Sequence, residues 1–261
     1  MVLVAAVILG GVRRIASVNE KLVPAMAVFY VTCSVVAILI NIEKVPDAFA
    51  LILKEAFNFK ATTGGVAGYG IMTAMHYGFA RGVFSNEAGL GSAPIAHAAS
   101  STKSPLEQGL WGMFELFFTT IIICTLSALI LLTTGIWNTG KVQGAALSIA
   151  SFNAIIPGVG GVIVTFATVF FACSTILGWA YYGEVAVQYL FKNVKHAVFI
   201  YRVIYVAVDL VGAVGNLELI WSISETMNGF MAIPNLIGII GLYKVVCRLT
   251  GEYFKDKGGK S

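Results

Sequence analysis

The sequence predicts an all-α protein, a polytopic bundle of helices that crosses a lipid bilayer several times. Of its 261 residues, 58% are hydrophobic and 11% are charged. Average soluble proteins carry roughly 25% charged residues, so this chain has too few charges to solvate a globular surface. A spanning helix needs about 20 apolar residues, and a chain of this length can therefore supply about six or seven of them. These figures exclude an ordinary soluble domain.

Long apolar segments predict the individual spans. The clearest is 22–42, which contains no charged residue and has the length of one crossing. An uncharged run from Val142 to Gly183 is longer than one crossing, and the sequence NAIIPGVGG at 153–161 breaks it. In addition to 22–42, we expect a partial span at 1–11, a discontinuous span at 66–100, and spans at 109–134, 160–182, 197–215 and 219–246.

The basic residues between the spans predict the orientation of the bundle. Eleven of them lie in loops on one side, among them Arg13, Arg14 and Lys21, whereas four lie in loops on the other side. Cytoplasmic loops carry the excess of positive charge, so the richer side is predicted to face the cytoplasm. That side includes residues 247–261, which we interpret as a cytoplasmic tail.

The segment 66–100 is predicted to be a helix that glycines break in the middle. It contains Arg81 and Glu87 within an apolar context, and Gly89 and Gly91 follow closely. Each glycine lowers helix propensity by about 1 kcal/mol compared with alanine. Irregular backbone at membrane depth survives where it is buried in protein or lines a wet cavity. We therefore expect a cavity near residues 84–92.

Polar groups at this break are suited to a zwitterionic ligand. Backbone N–H and C=O groups released from helical bonding could receive a carboxylate and a cation. Phe84, Ser85 and Asn86 would add an aromatic wall, a hydroxyl and an amide. A glycine-packed helix interface is the alternative, but it explains the glycines and not the polar cluster.

The charged residues of the spans allow two interpretations. Arg81 and Glu87 are six positions apart, about 120° out of register on a straight helix, so we do not expect them to pair along one. Either each finds a partner on another helix, or the break rotates one toward the other. They then form ion pairs that stabilise the bundle or line a ligand pathway. Glu225 forms part of a gate or a polar contact between helices, and Arg202 and Asp209 are expected to bind neighbouring helices.

Ser174 and Thr175 place adjacent hydroxyl groups midway along the span 160–182. Hard oxygen ligands suit Na⁺, although such hydroxyls commonly bond to the preceding helical turn instead. Trp179, five residues further on, is either a wall of a pocket or an ordinary core or interfacial side chain.

Other kinds of site are not expected. His76 and His97 have no acidic or cysteine companion at metal-binding spacing, and the four cysteines are widely separated. The motifs of zinc proteases, of serine hydrolases and of phosphate-binding loops are absent from the sequence. We therefore expect no enzyme, no cofactor, no metal other than sodium and no nucleic acid as a partner.

The sequence RGVFSNEAGLGSAPIAHAAS, at 81–100, resembles the signature of the alanine or glycine:cation symporters, also called sodium:alanine symporters or amino acid carrier proteins. The resemblance extends to GGVRRIASVNEKLVP, GAALSIASFNAIIPGVGG, STILGWAYYGE and MNGFMAIPNLIGI, and so covers nearly the whole chain. Members resemble the leucine-transporter fold, two inverted five-helix repeats whose first and sixth helices are unwound. The resemblance implies the second half of such a bundle, from an N-terminally truncated member that lacks the first unwound helix.

The resemblance also implies roles for individual residues. On the broken helix it assigns substrate contacts to Phe84, Ser85 and Asn86 and the unwound backbone to Gly89 and Gly91. On the span 160–182 it assigns sodium binding to Ser174 and Thr175, and a pocket wall to Trp179. On the residues themselves rather than the resemblance, Arg81, Glu87 and Glu225 are candidates for bracing or gating.

The function so implied is symport of Na⁺ with a small neutral amino acid, alanine or glycine, across the cytoplasmic membrane by alternating access. Its partners are the amino acid, Na⁺ and the lipid bilayer. Two alternatives stay open. One is a fragment that does not transport or that serves as an assembly subunit of a membrane complex. The other, an intramembrane enzyme, would need a nucleophile and a base within about 3 Å, which the spacing does not indicate.

Overall fold

The computed structural model describes residues 2–56, 66–87, 89–140, 142–192, 194 and 196–258, and over these residues the chain is helical and contains no strand. Five described helices are long and apolar enough to cross a membrane: Val12–Ile40, Pro105–Thr134, Gly160–Leu190, Ala197–Val214 and Leu217–Lys255. The predicted all-α, many-helix architecture is therefore confirmed.

The helices follow the apolar segments of the sequence, with additional short elements between them. In chain order they are α1 (Val2–Leu9), α2 (Val12–Ile40), α3 (Val45–Ala56), α4 (Val66–Asn86), α5 (Ala93–His97), α6 (Pro105–Leu116), α7 (Cys124–Thr134), α8 (Ala145–Ile155), α9 (Gly160–Leu190), α10 (Ala197–Val214) and α11 (Leu217–Gly258). A π-helical segment, Phe117–Ile123, joins α6 to α7, and 3-10 turns lie at Ile42–Lys44 and Ile136–Thr139.

The helix boundaries differ from the predicted spans at three places. Arg13, Arg14 and Lys21 were expected in a loop, but they lie in α2, which begins directly after Gly11 (φ 85°). Arginine and lysine are strong helix formers, so the helix extends through them to the nearest breaker. The segments of α3 and α8 are helices that the apolar pattern did not single out. Finally, α11 continues to Gly258, so most of the predicted tail 247–261 is helical.

The chain divides into two compact units. The first contains the described residues of Met1–Thr63 and Ile121–Leu210, and the second contains those of Gly64–Thr120 and Val211–Ser261. Their internal packing is described separately below.

In the first unit α2 and α8 both pack along α9. One apolar cluster joins α1, α2 and α9 and consists of Val4, Ile8, Ile15, Leu177 and Ala180. A second cluster joins α2, α7, α8 and α9 and consists of Ala37, Ile130, Phe152, Ile155 and Val164. Gly160 begins α9 so close to the Phe152 carbonyl that a Cβ atom would overlap it. Glycine at this position therefore permits the tight turn from α8 into α9.

In the second unit, α4 and α5 are the two halves of the predicted discontinuous helix, and α6 and α11 pack nearby. The start of α6 has a clear local cause. The Ser104 hydroxyl accepts a hydrogen bond from the Glu107 backbone N–H at 3.4 Å, and Pro105 occupies the first helical position. Both are preferred helix-start residues, because they satisfy or remove N–H groups that have no helical partner.

Candidate functional site

The helix over 66–100 is broken between Asn86 and Ala93, as the sequence predicts. After α4 ends, the backbone enters the left-handed region at Glu87 (φ 55°), Gly89 (φ 81°) and Gly91 (φ 84°). Glycine adopts these angles without steric cost, whereas a residue with a Cβ atom pays about 1–2 kcal/mol. Among the described residues Glu87 is the one non-glycine residue with positive φ, so the surrounding contacts must hold it there.

Glu87 is held by a hydrogen bond within the break itself. The Ser92 hydroxyl donates to Glu87 Oε2 at 2.8 Å, and the Leu90 N–H donates to the Glu87 carbonyl at 3.2 Å. Ser92 and Leu90 are both buried. The carboxylate thus spans the unwound turn and joins its two ends.

Helix α11 packs against the unwound turn. A Cβ atom on Gly91 would lie 3.1 Å from Asn235 Oδ1, which is closer than ordinary van der Waals contact. A Cβ atom on Gly89 would lie 3.8 Å from a Leu236 methyl carbon, an ordinary contact. Gly91 is therefore required both for its backbone angle and for the close approach of α11, whereas Gly89 is required for its angle.

The three polar and aromatic residues before the break point to different surroundings, because successive helical residues are rotated by about 100°. Asn86 Nδ2 donates to Thr120 Oγ1 at 2.8 Å, and Thr120 lies in the π-helical segment Phe117–Ile123. The Phe84 ring meets the Trp221 ring of α11 edge to face, with centroids 5.7 Å apart. Ser85 is exposed. Short π-helical segments are frequent at functional sites, and this one provides the partner of Asn86.

Arg81 and Glu87 do not pair with each other, and each has its own partner. Arg81 Nη2 lies 3.1 Å from Glu225 Oε1 on α11, and the guanidinium lies over the Trp221 ring at 3.5 Å from its centroid. His76 Nε2 lies 3.9 Å from Glu225 Oε2. Arg81 pairs with Glu225 on α11, and Glu87 bonds to Ser92 across the break. Arg81 thus has its partner on another helix, as the first of the two predicted alternatives has it, whereas Glu87 bonds within the break and follows neither.

The predicted sodium ligands lie in the first unit, on α9. The Ser174 hydroxyl is buried, donates to the Phe171 carbonyl at 3.0 Å and lies 3.4 Å from Met26 Sδ. Thr175 is exposed. Trp179 is half-buried, and its ring contacts the Tyr182 ring at 5.7 Å between centroids. The back-bonded geometry that the sequence left open is therefore observed for Ser174.

The first unit also contains a buried ion pair that the sequence analysis missed. Glu184, near the end of α9, is 1% exposed and accepts hydrogen bonds from Arg202 Nε at 2.9 Å and from Arg202 Nη2 at 2.6 Å. Gln188 Nε2 donates to the same carboxylate at 3.3 Å. The sequence did contain a signal for this pair, since Glu184 and Arg202 are opposite charges on two successive apolar helices. The prediction that Arg202 and Asp209 bind neighbouring helices is confirmed for Arg202, whereas Asp209 Oδ2 is buried without a hydrogen-bond partner among the described residues.

Metal-binding side chains do not converge in the part of the chain that the structure describes. No group of three or more His, Cys, Asp or Glu side chains has the geometry to hold a metal ion there. Cys33, Cys124, Cys173 and Cys247 are free thiols.

Comparisons with known proteins identify the family. The model of the sodium:alanine symporter family matches residues 1–261. The chain belongs to this family. Its members are symporters rather than enzymes, and with the five apolar helices they make this chain a multi-pass membrane protein.

Three relatives show how far the similarity extends. An uncharacterized transporter of Haemophilus influenzae is 48% identical, over 97% of this chain and 55% of its own length. The sodium/alanine symporter AgcS of Methanococcus maripaludis is 46% identical, over 95% of this chain and 54% of its own length. The probable sodium/glutamine symporter GlnT of Bacillus subtilis is 36% identical, over 96% of this chain and 52% of its own length. The chain thus spans a little over half of each relative.

Proposed function

We propose that this chain carries out, as part of a sodium-coupled symporter, the transport of a small neutral amino acid, alanine or glycine, across the cytoplasmic membrane. The observation that carries the proposal is the unwound turn at 87–92 inside an apolar helix of a symporter-family chain. Irregular backbone is costly in a membrane, and it is retained where it binds a ligand. We propose alanine first among the possible substrates because the relative AgcS is named a sodium/alanine symporter.

The unwound turn supports binding of a zwitterion. N–H groups near the start of a helical half attract a carboxylate, and carbonyl groups near the end of the other half attract an ammonium group. Phe84, Ser85 and Asn86 end the first half and would contact the substrate, and Gly89 and Gly91 would expose the backbone to it. Trp179, on α9 in the first unit, stays a predicted pocket wall. Bulky aromatic walls favour a small side chain on the substrate.

Sodium would be bound by Ser174 and Thr175, whose hydroxyl oxygens are the hard ligands that a small monovalent cation prefers. The Phe171 carbonyl, which now accepts the Ser174 hydrogen bond, is a third oxygen in the same turn. An ion drives uptake if it stabilises the state that binds substrate, since equal affinity for two states shifts nothing. Sodium and alanine are therefore expected to increase each other's affinity by the same factor.

Three charged residues would stabilise the unwound turn and the helix before it. Glu87 would brace the unwound turn through Ser92, and Arg81 with Glu225 would hold the first helical half to α11. We place these elements in a leucine-transporter-like inverted repeat with α11 ending on the cytoplasmic side. The excess of basic residues near the C-terminus supports that orientation.

Uptake of labelled alanine into proteoliposomes tests the proposal. Two proteins are compared under an inward Na⁺ gradient and without one. One is this chain, and the other is a chimera that joins it to the part of AgcS that its match does not cover. Sodium-dependent accumulation by either supports symport. Absence of uptake by both, while intact AgcS transports under the same conditions, contradicts it.

Asn86 provides a residue-level test. Asn86→Ala removes the amide and should weaken alanine binding, whereas Thr120→Val removes its hydrogen-bond partner and keeps the amide. Alanine affinity is measured for both variants in the transporting protein. If Asn86 contacts the substrate, its variant loses more affinity than the Thr120 variant. Equal losses would assign Asn86 to bracing the π-helical segment instead.

A further inference from the structure

Four side chains form a continuous stack between α4 and α11 beside the unwound turn. Trp221 and Glu225 are four residues apart on α11, and Arg81 and Phe84 are three residues apart on α4. Both spacings place side chains on one face of a helix. Each helix therefore presents a pair of residues to the other pair.

The Trp221 ring is contacted by two of these side chains. The Arg81 guanidinium lies over its face, with Cζ 3.5 Å from the centroid. The Phe84 ring meets it at 5.7 Å between centroids and 77° between planes, the edge-to-face geometry that aromatic pairs prefer. Trp221 is also half-buried. Its orientation is consequently set by a cation on one side and a ring on another.

Glu225 holds the guanidinium in place over the ring. Its Oε1 lies 3.1 Å from Arg81 Nη2. Arg81 Nη1 is buried and has no hydrogen-bond partner among the described residues, and the indole face supplies π electrons to the cation. The order of contacts is therefore Glu225, Arg81, Trp221, Phe84, and it ends two residues before α4 itself ends at Asn86.

We propose that Trp221 is a positioning residue for substrate selection: it fixes the ring of Phe84 beside the unwound turn. This rests on the proposed function, in which Phe84 is a wall of the substrate site. A fixed ring limits the space for the substrate side chain and favours alanine. A Phe84 ring without its partner gains rotamer freedom, so it contacts alanine less well and excludes a larger side chain such as that of valine less well.

The experiment measures uptake kinetics for alanine and valine in the transporting form of the protein. Trp221→Ala is expected to raise the KM for alanine about threefold to tenfold, the factor that corresponds to one aromatic pair. The maximal rate should stay within about twofold, and the ratio of the KM values for valine and alanine should fall. The KM for alanine of Trp221→Phe should lie between that of the parent protein and that of Trp221→Ala. Phe230→Ala, a change of an aromatic residue on the same helix that is 66% exposed, is the matched control.

A double-variant cycle with Phe84 decides how Trp221 acts. If Trp221 acts through Phe84, Trp221→Ala has no further effect on the KM when Phe84 is already alanine. Independent, multiplying effects of the two changes would overturn the proposal. So would an unchanged KM with a reduced maximal rate, the result expected of a merely structural tryptophan. Failure of the parent protein to transport at all would instead defeat the proposed function, and the positioning role with it.

Discussion

Among the described residues, each compact unit contains one arginine–glutamate pair between apolar helices, and the two pairs have different surroundings. In the first unit the side chains of Arg202 and Glu184 are 18% and 2% exposed, and two hydrogen bonds join them. In the second unit the side chains of Arg81 and Glu225 are 36% and 25% exposed, and a single 3.1 Å contact joins them. The same kind of ion pair is thus buried in the first unit and partly exposed in the second.

The difference indicates which of the two pairs is held more tightly by its surroundings. The Arg202 guanidinium also lies against Gly11, and α9, which carries Glu184, packs in the cluster of Ile8 and Leu177. Breaking a buried pair leaves a charge without compensation, so this pair resists rearrangement. The Arg81–Glu225 pair has one contact instead of two hydrogen bonds, and the Trp221 ring also contacts the cation, so loss of Glu225 would leave the guanidinium with a partner. The pair beside the unwound turn is therefore the less tightly held of the two.

The largest effect is expected from removing one partner of the buried pair. Glu184→Ala leaves the Arg202 charge unpaired and should lower the free energy of unfolding by about 3–5 kcal/mol. Thermal unfolding in detergent measures the loss. The control replaces both partners, Glu184→Leu with Arg202→Met, and should lie closer to the parent. A double variant as unstable as Glu184→Ala would contradict this interpretation.

Gly11 tests how tightly the buried pair is packed. Gly11→Ala forces a residue with a Cβ atom into φ 85° and places that atom 2.9 Å from Arg202 Nη2. Gly11 has φ 85° and ψ 177°, a combination essentially restricted to glycine, so the backbone alone costs about 1–3 kcal/mol and the guanidinium must also shift. Gly144→Ala is the matched control, since Gly144 also precedes a helix, lies outside the left-handed α region at φ 58° and ψ −137°, and has no atom within 4 Å of its Cβ position. We expect the Gly11 variant to be the less stable of the two in the same unfolding assay. Equal stabilities would show that the Arg202 guanidinium can move away from the added Cβ atom without lowering the free energy of unfolding.

The unwound turn allows a similar comparison in the second unit. Gly91→Ala and Gly89→Ala should each cost about 1–2 kcal/mol for the backbone angle. Gly91→Ala should cost slightly more, because its Cβ atom would lie 3.1 Å from Asn235 Oδ1, whereas that of Gly89 meets Leu236 at 3.8 Å. Introducing Asn235→Ala should remove the difference. A difference that persists in that background would mean that Asn235 is not its cause.

The smallest effect on stability is expected at the accessible pair. Glu225→Gln removes the negative charge opposite Arg81 but leaves the guanidinium over Trp221. The glutamine amide still presents an acceptor oxygen to the guanidinium, which also keeps its contact with the indole ring, so the unfolding midpoint should change less than for Glu184→Ala. The same unfolding assay as for Glu184→Ala provides the comparison. A loss as large as that of the buried pair would abolish the distinction between the two units.

Features with a local cause could be predicted from the sequence. Gly89 and Gly91 lie in an apolar segment that also contains charged residues, and this combination predicted the broken helix. The backbone leaves the helix there. The six-residue spacing of Arg81 and Glu87 predicted that they would not pair along a regular helix, and each has another partner. Both inferences depend on the geometry of a single helix, which needs no knowledge of packing.

Features that depend on packing between helices were missed. Glu184 was assigned no role, because its pairing with Arg202 requires two helices to lie in a particular register. Trp221 likewise gains its contacts from α4, which is more than 100 residues away in sequence. Glu87 in the left-handed region was not expected, since no propensity favours glutamate there and its hydrogen bond with Ser92 helps to hold it.

The most direct test of sodium-coupled binding at the unwound turn is the alanine affinity of the purified transporting protein, measured over a range of Na⁺ concentrations with K⁺ as the control ion. The account predicts that the affinity rises with Na⁺ and that alanine raises the Na⁺ affinity by the same factor. It also predicts that Ser174→Ala removes this dependence while the affinity without Na⁺ is unchanged. An alanine affinity that is the same in Na⁺ and in K⁺ would contradict it.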